Sequence, residues 1–416
     1  MQQRLIALVT SALLIGGLFV GAPAPAWAAA ADSMNVYIGF NAHTAGGSCA
    51  DPDYRADGIA DSTAISDAVN DTASGGTLHF CPGTYDVNAT IVITEKDITL
   101  QGAGAARTVL DGGATVAADG TWVSGGVRVV TTDSDLTVQK LTIQHAAAQG
   151  LMDAGYGGAI LITGGKLAIM QCAFRANNAR FGGGAIRQEP RHADYEVIIQ
   201  NSIFDKNHAQ AEEGGAASIS ANVVISRSTF SNNSAGEDGY DGGAIYSGGE
   251  VDISSSRFSG NDSGYNGGAV SAQFVSAVST AFVGNTANSN YGGAIYASSV
   301  VVATSTFERN AAAWGGAIHT ITGSISSSRF YRNTAADKGG AIIIWDPETD
   351  DLGQIRRNTF SRNTSASGGA ITLGPPCVVR ARRDLESIER ANRFSDNRAT
   401  AQRRTNNIEG SWGCLG

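Results

Sequence analysis

Charge is scarce in this sequence. Of its 416 residues only 16% are Asp, Glu, Lys or Arg, and the balance is −9. A sparse and net acidic surface does not attract phosphate backbones, so nucleic acid and anionic membrane surfaces are not the expected partners. Beyond the first twenty residues no apolar run is long enough to span a bilayer. Histidine occurs only six times, never at ligand spacing from Cys or another His. No glycine-rich phosphate loop, GxSxG elbow or metalloprotease motif is present. Glycine, in contrast, is abundant: 53 residues within a chain that is 42% hydrophobic. That combination excludes disorder driven by charge and points to a turn-rich β architecture.

The N-terminus has the form of a secretory signal. Arg4 supplies a short basic region, Leu5 to Val20 an apolar core, and Ala26-Trp27-Ala28 a small-residue cleavage site. The closing "SWGCLG" carries neither a hydrophobic tail nor the alternating strands of a membrane barrel. The expectation is a secreted or surface-associated monomer with no transmembrane segment in the mature chain. Five cysteines in an exported chain suggest two disulfides and a spare. Cys49 with Cys81 and Cys377 with Cys414 are the preferred pairs, each closing a loop worth roughly 3–4 kcal/mol, although spacing alone leaves other pairings open.

A repeat dominates the rest. "GGA[IV]" or a near copy begins at Gly157, Gly183, Gly214, Gly242, Gly267, Gly292, Gly315, Gly339 and Gly368, at intervals of 23 to 31 residues. Each copy is followed by a Phe, from Phe174 to Phe394, and three residues beyond every Phe stands an Asn, from Asn177 to Asn397. Such a period means a solenoid. The segments are short, rich in Val, Ile, Ser and Thr, and broken by Gly and Asn, so each repeat is a coil of strands and corners. The fourth residue of each Gly-Gly strand is Ile or Val, except Ala217, and must face the core; its neighbours are expected to face solvent. Gly-Gly marks a tight turn, and the Asn is expected at a left-handed corner with amides bonding from coil to coil. Two residues before each Phe lies a small polar side chain, except at Cys172, which reads as a packed thiol rather than a nucleophile. Upstream, Ile59, Ala64, Ile65 and Val69 at helical spacing predict a short amphipathic helix that caps the open end of the core.

The paired "GGA[IV]" and "FxxN" resemble the repeats of the polymorphic outer-membrane proteins, a bacterial surface family with a right-handed parallel β-helix passenger. The stretch "LHFCPGTY…ITLQGAG…TVLDG" is similar to the first coils of pectin-lyase-like β-helix proteins. The resemblance implies an all-β chain forming a single-stranded right-handed parallel β-helix. The expected divisions are a signal peptide at 1–28, a cap at 29–76, the β-helix at 77–374 with repeats from about 157, and a last coil and C-terminal cap at 375–416. That superfamily includes lyases, hydrolases and adhesins, so fold alone does not decide activity.

Three constellations could carry function. An insert, "RQEPRHADYE", gathers Arg187, His192, Asp194 and Glu196, an acid, a base and a cation of the kind a lyase or hydrolase requires. Acidic loops before neighbouring Gly pairs supply Glu212, Glu213, Glu237, Asp238 and Asp241, which adjacent coils could bring round a calcium ion, though no EF-hand or other dedicated loop is present. The third is aromatic: Tyr265, Tyr291 and Trp314 lie just before Gly pairs, and Tyr246, Tyr296 and His319 on the outward row. Rings repeated along a rod can stack on sugars; equally, the rings before Gly-Gly can simply cover the glycine corners. Because regular positions run the whole length while catalytic groups are scattered, the favoured reading is a non-catalytic, adhesin-like or polysaccharide-binding protein whose partner is an extracellular glycan or cell-surface ligand, with no cofactor. The rival is a polysaccharide lyase or glycoside hydrolase acting on acidic glycans.

Overall fold

A computed structural model describes residues 33–42, 44, 46–189, 196–236, 239–345, 355–374, 382–400 and 407–410, all within one compact unit, Asp32–Gly416. Strands dominate, and all but one of their pairings are parallel: the exception is the small hairpin Thr115–Val116 with Trp122–Ser124. Three long sheets run along a parallel β-helix. A 22-stranded sheet takes two segments from most coils, a 12-stranded sheet carries the Phe positions, and a 10-stranded sheet of very short strands follows the Asn positions. In three coils the two segments of the first sheet fuse into nine-residue strands, Val270–Val278, Ile295–Ala303 and Ile318–Ser326.

Like side chains lie over like. Ile160, Ile186, Ala217, Ile245, Val270, Ile295, Ile318, Ile342 and Ile371 are in register from coil to coil and fully buried. Phe174 to Phe394 form a column of nearly parallel rings with centroids 4.7–5.1 Å apart. Apolar area removed from water drives this stacking, at roughly 1.5–3 kcal/mol for each fully buried large side chain.

Two polar ladders run beside the rings. The amide of Asn177 donates to Oδ1 of Asn207 at 2.9 Å, and the pattern repeats through Asn233, Asn261, Asn285, Asn310, Asn333, Asn363 and Asn397. From Asn207 onward the same amide also donates to the carbonyl of the preceding coil's Phe, as Asn207 does to Phe174 at 3.1 Å. The expected left-handed corner is not at these asparagines. It falls one residue earlier, at Ala176, Lys206, Asn232, Arg309, Arg332 and Arg362 among others, with φ near +50°. The Asn itself turns inward, and its amide stays satisfied without contact with water. In the second ladder the backbone N–H of Cys172 donates to Ser202 Oγ, Ser202 to Ser228, and onward to Asn358. Cys172 is a packed thiol, bonded to the carbonyls of Val138 and Met170, and burial pushes its pKa up to about 12.

The paired glycines answer two separate demands. Gly242 sits at φ +68°, and a Cβ on Gly243 would collide with the carbonyl oxygen of Gly268 in the next coil. In the first coils, which lack the GGA[IV] strand, Tyr85, Leu110 and Ile143 fill the Phe column.

The helix Ser62–Asp71 lies over the N-terminal end and buries Ile65, Ala68 and Val69. Ile59, expected on its apolar face, precedes the helix and is 75% exposed, because Asp61 accepts the backbone N–H groups of Asp57 and Gly58 and turns the chain before the first helical residue. The Cys49–Cys81 disulfide forms; Cys377 and Cys414 lie outside the described residues. A second helix, Arg382–Ala391, packs by Ile388 against the core at the other end.

Replacing Asn285 by Ala would leave Asn261 without its acceptor and the Phe258 carbonyl without its donor. The expected cost is about 1–3 kcal/mol, read as a lowered urea midpoint; an unchanged midpoint would show that the amide ladder contributes nothing.

Candidate functional site

Each Gly-Gly turn brings two rows of side chains side by side on the outside of the first sheet. One row follows the inward Ile: Leu161, Arg187, Ser218, Tyr246, Ser271, Tyr296, His319, Ile343 and Thr372, in register. The other precedes the Gly pair, where the backbone bonds Gly183 to Glu213, Gly214 to Asp241, Gly242 to Asn266, Gly267 to Tyr291 and Gly292 to Trp314. Parity sends the first row away from the core, but it does not leave that row bare. Ser218, Ser271 and His319 are all under 7% exposed, so the expectation of a solvent-facing row is corrected: the bend residues of neighbouring coils lie over it.

The ribbon changes character along the rod. At its N-terminal end the Arg187 guanidinium stacks 4.8 Å over Tyr156 and donates to Ser218 Oγ at 2.7 Å. The Tyr156 hydroxyl donates to Glu212 Oε1 at 2.8 Å, and burial together with that carboxylate pushes its pKa up to about 12. In the middle, Asp241 accepts from the Asn266 N–H, the Asn266 amide and Ser271 Oγ. Burial raises its carboxyl above the usual range despite those bonds, and Glu213 adds to the rise. Burial also raises Tyr246 and Tyr296, with Glu213 and Asp241 contributing to Tyr246 and Asp241 to Tyr296.

The far end is aromatic. Tyr291 stacks on His319 with centroids 4.2 Å apart and lies 5.8 Å from Tyr296. Trp314 meets Tyr291 edge-on at 6.1 Å, Trp345 closes on Trp314 at 6.1 Å and on His319 at 6.3 Å, and Lys338 Nζ sits 5.6 Å from the Trp314 ring. Neither ring nitrogen of His319 has a hydrogen-bond partner, and burial pulls its pKa down to about 4. Tyr265 and Trp345 present 42% and 43% of their surface to solvent. Trp345 was not among the expected binders, although it stands two residues beyond Ile343 and so shares the parity of the His319 row.

The other expected constellations do not assemble among the described residues. Arg187 is held by Tyr156 and Ser218, while Glu196 opens the next segment, Glu196–Gln200, exposed and opposite Asn222. His192 and Asp194 lie outside the described residues, as do Glu237 and Asp238. Glu212 and Asp241 are engaged by Tyr156, Asn266 and Ser271, and no three His, Cys, Asp or Glu gather as a calcium site would require, within the described residues.

Residues 227–248 and 279–298, each running from a Phe-Asn corner to the next GGAI strand, match the family model of the Chlamydia polymorphic membrane protein (Chlamydia_PMP) repeat. No curated protein compared with it is significantly similar in sequence. Among solved structures, the Agl-KA catalytic domain is similar at a TM-score of 0.46 and 13% identity, covering 85% of this chain; this chain spans 66% of that one, just under two thirds. Pectin methylesterase from Aspergillus niger aligns over 92% of both chains at a TM-score of 0.26 and 10% identity. PemA, the pectin methylesterase of Erwinia chrysanthemi, aligns over 90% of this chain and 92% of its own at 0.25 and 12%.

The buried imidazole makes the repeat region acid-sensitive. His319 is neutral when folded, so stability is complete above the unfolded pKa of about 6.5 and falls as pH drops toward 4, by about 3 kcal/mol in total. Urea unfolding at pH 7 and pH 4.5 should therefore differ more in the wild type than in His319→Phe, which keeps the stack and removes the titration; equal slopes would contradict the assignment.

Proposed function

We propose that the protein is exported by its N-terminal signal and acts as a non-catalytic, monomeric β-helix rod that binds polysaccharide along the aromatic ribbon of its first sheet. One observation carries the reading. Tyr246, Tyr265, Tyr291, Tyr296, Trp314 and Trp345 all lie on the outer surface of consecutive coils, and two of them, Tyr265 and Trp345, are open to solvent. Coils repeat at about 4.8 Å along the axis, so a glycan lying parallel to the rod meets a ring face or a polar group at each step. Apolar ring faces recognise the C–H surfaces of sugars, while hydroxyls, amides and the guanidinium of Arg187 supply the directional bonds. The repeat itself, of a type named for membrane proteins of Chlamydia, is in keeping with an adhesin-like role at or beyond a cell surface.

The rival activity, cleavage of an acidic glycan by a lyase or hydrolase, has one observation in its favour. Asp241 is a half-buried carboxyl held above its ordinary range near Glu213, the type of environment that keeps an acid protonated for proton donation. Both of its oxygens are already engaged by Asn266 and Ser271, which favours a positioning role over catalysis.

Retention of the purified protein on a panel of plant and bacterial polysaccharides tests the proposal. At least one glycan should retain it, and Tyr265→Ala with Trp345→Ala should weaken that retention at least tenfold without lowering the melting temperature. Retention by none of the panel would end the glycan-binding reading, and new reducing ends or unsaturated products, lost in Asp241→Asn, would end the non-catalytic one.

A further inference from the structure

A second surface, on a different sheet, breaks the rules that the rest of the rod obeys. The residue before each ladder Asn sits in the left-handed region, where Gly and Asn are tolerated best. Asn232, Gly260 and Gly284 fill it in the middle coils. The next three coils instead place Arg309, Arg332 and Arg362 there, at φ 54°, 55° and 56°. Stacked coils set those positions about 4.8 Å apart, so three like charges are brought close together at sites where arginine is also conformationally disfavoured. Like charges directly opposite one another are destabilising. Burial does not offset this, because all three side chains are exposed.

The surroundings add to the positive field. Arg329 and Arg393 lie on the outer side of the Phe strands, two coils apart in one register row, and Arg357 stands at φ 59° on the corner before the Phe strand. Tyr331 anchors the cluster: the guanidinium carbons of Arg329 and Arg332 are each 4.9 Å from its ring centroid, that of Arg362 is 5.9 Å away, and Arg362 Nη1 donates to its hydroxyl at 3.2 Å. Three cations thus lie within 6 Å of one ring centroid, and one of them also donates to its hydroxyl, which holds them in place without neutralising them. Carboxylates are few here. Glu308 pairs with Arg309 at 2.8 Å and Asp396 reaches Arg362 at 3.9 Å, while Arg329, Arg332, Arg357 and Arg393 make no ion pair among the described residues. Six arginines against two carboxylates stand out on a chain whose balance is −9.

We propose that the arginine cluster around Tyr331 is a binding site for an anionic polysaccharide, a glycan bearing carboxylate or sulfate groups. Guanidinium forks match both anions bidentately. Their coil-to-coil spacing suits a polymer with charge repeated along an extended chain. A duplex nucleic acid fits less well, because a wide cylinder sets its phosphates against the acidic remainder of the surface as well as the patch, whereas a single extended chain can follow the patch alone. The site is separate from the aromatic ribbon and does not depend on it.

Binding of the full chain to heparin, as the sulfated probe, and to polygalacturonate, as the carboxylated one, tests this across a salt gradient. The wild type should bind at least one of them at low ionic strength and be released as salt rises. The variant Arg329→Gln/Arg332→Asn/Arg362→Asn should bind at least tenfold more weakly with an unchanged melting temperature, Asn being well suited to the two left-handed positions. Arg329→Gln alone, on a strand, should weaken binding in the same direction should the triple variant fail to fold. Tyr265→Ala/Trp345→Ala should leave polyanion binding intact, which separates this site from the aromatic one. Absence of binding to both probes, an unchanged affinity in the arginine variants, or equal affinity for double-stranded DNA would each overturn the proposal.

Discussion

A buried primary amide makes demands that few neighbours can meet, and the column of asparagines meets them with copies of itself. Each amide donates to the Asn of the next coil, and those from Asn207 onward also donate to a Phe carbonyl of the coil before, while each Oδ1 accepts from the preceding Asn. Within the ladder, donors and acceptors are paired away from water because the same residue recurs at the same height in successive coils; at its first rung Asn177 is completed by the Ile143 carbonyl and the Ala146 N–H instead. That recurrence keeps the winding in phase. Phe three residues earlier must then stack on Phe, and the Gly-Gly strand that follows must fall on its predecessor. The hydrophobic column supplies most of the driving force; from Asn177 onward the amide ladder reinforces the register.

A strict interior leaves the exterior free. The left-handed corner constrains only backbone, so His145, Ala176, Lys206, Asn232, Gly260, Arg309 and Asp396 all occupy it. The row after the inward Ile is equally permissive in side chain, running from Arg187 through Ser218 and Tyr246 to His319. Function on such a rod is therefore written in positions whose variation the scaffold tolerates. It is read by looking for substitutions that the local geometry does not favour: a histidine with both nitrogens unpartnered beneath aromatic rings, or arginines where glycine would be easier.

Much of this architecture was legible in the sequence, and the gaps have physical causes. The coils from Gly157 onward announced themselves because the Phe and Asn slots admit almost no alternatives. Earlier coils did not, since Tyr85, Leu110 and Ile143 fill the same inward slot and any apolar side chain of suitable volume serves where no amide ladder runs. The recurrence of Asn was visible, but recurrence marks side-chain demand rather than backbone strain, so the left-handed residue was one position off. Alternation correctly sent Tyr246, Tyr296 and His319 away from the core. It could not show that the bend before the previous coil's Gly pair folds over this row, as Tyr291 does over His319, because cover depends on contacts between coils. Ile59 matched the helical period, yet the carboxylate of Asp61 turns the chain first.

Both candidate surfaces run parallel to the axis of stacking, and that direction has a consequence for affinity. Each coil contributes one weak contact, a ring face or a guanidinium, worth little alone at an exposed site. A ligand that repeats along its own length engages several such contacts after the first without paying again for association, so binding rises with ligand length far more steeply than any single contact would suggest. A short saccharide and a long one should then be distinguished by the number of coils they span rather than by a deep pocket. A solenoid needs no specialised loop for this: the register of the buried columns is transmitted outward and becomes the spacing of the rings and guanidinium groups outside.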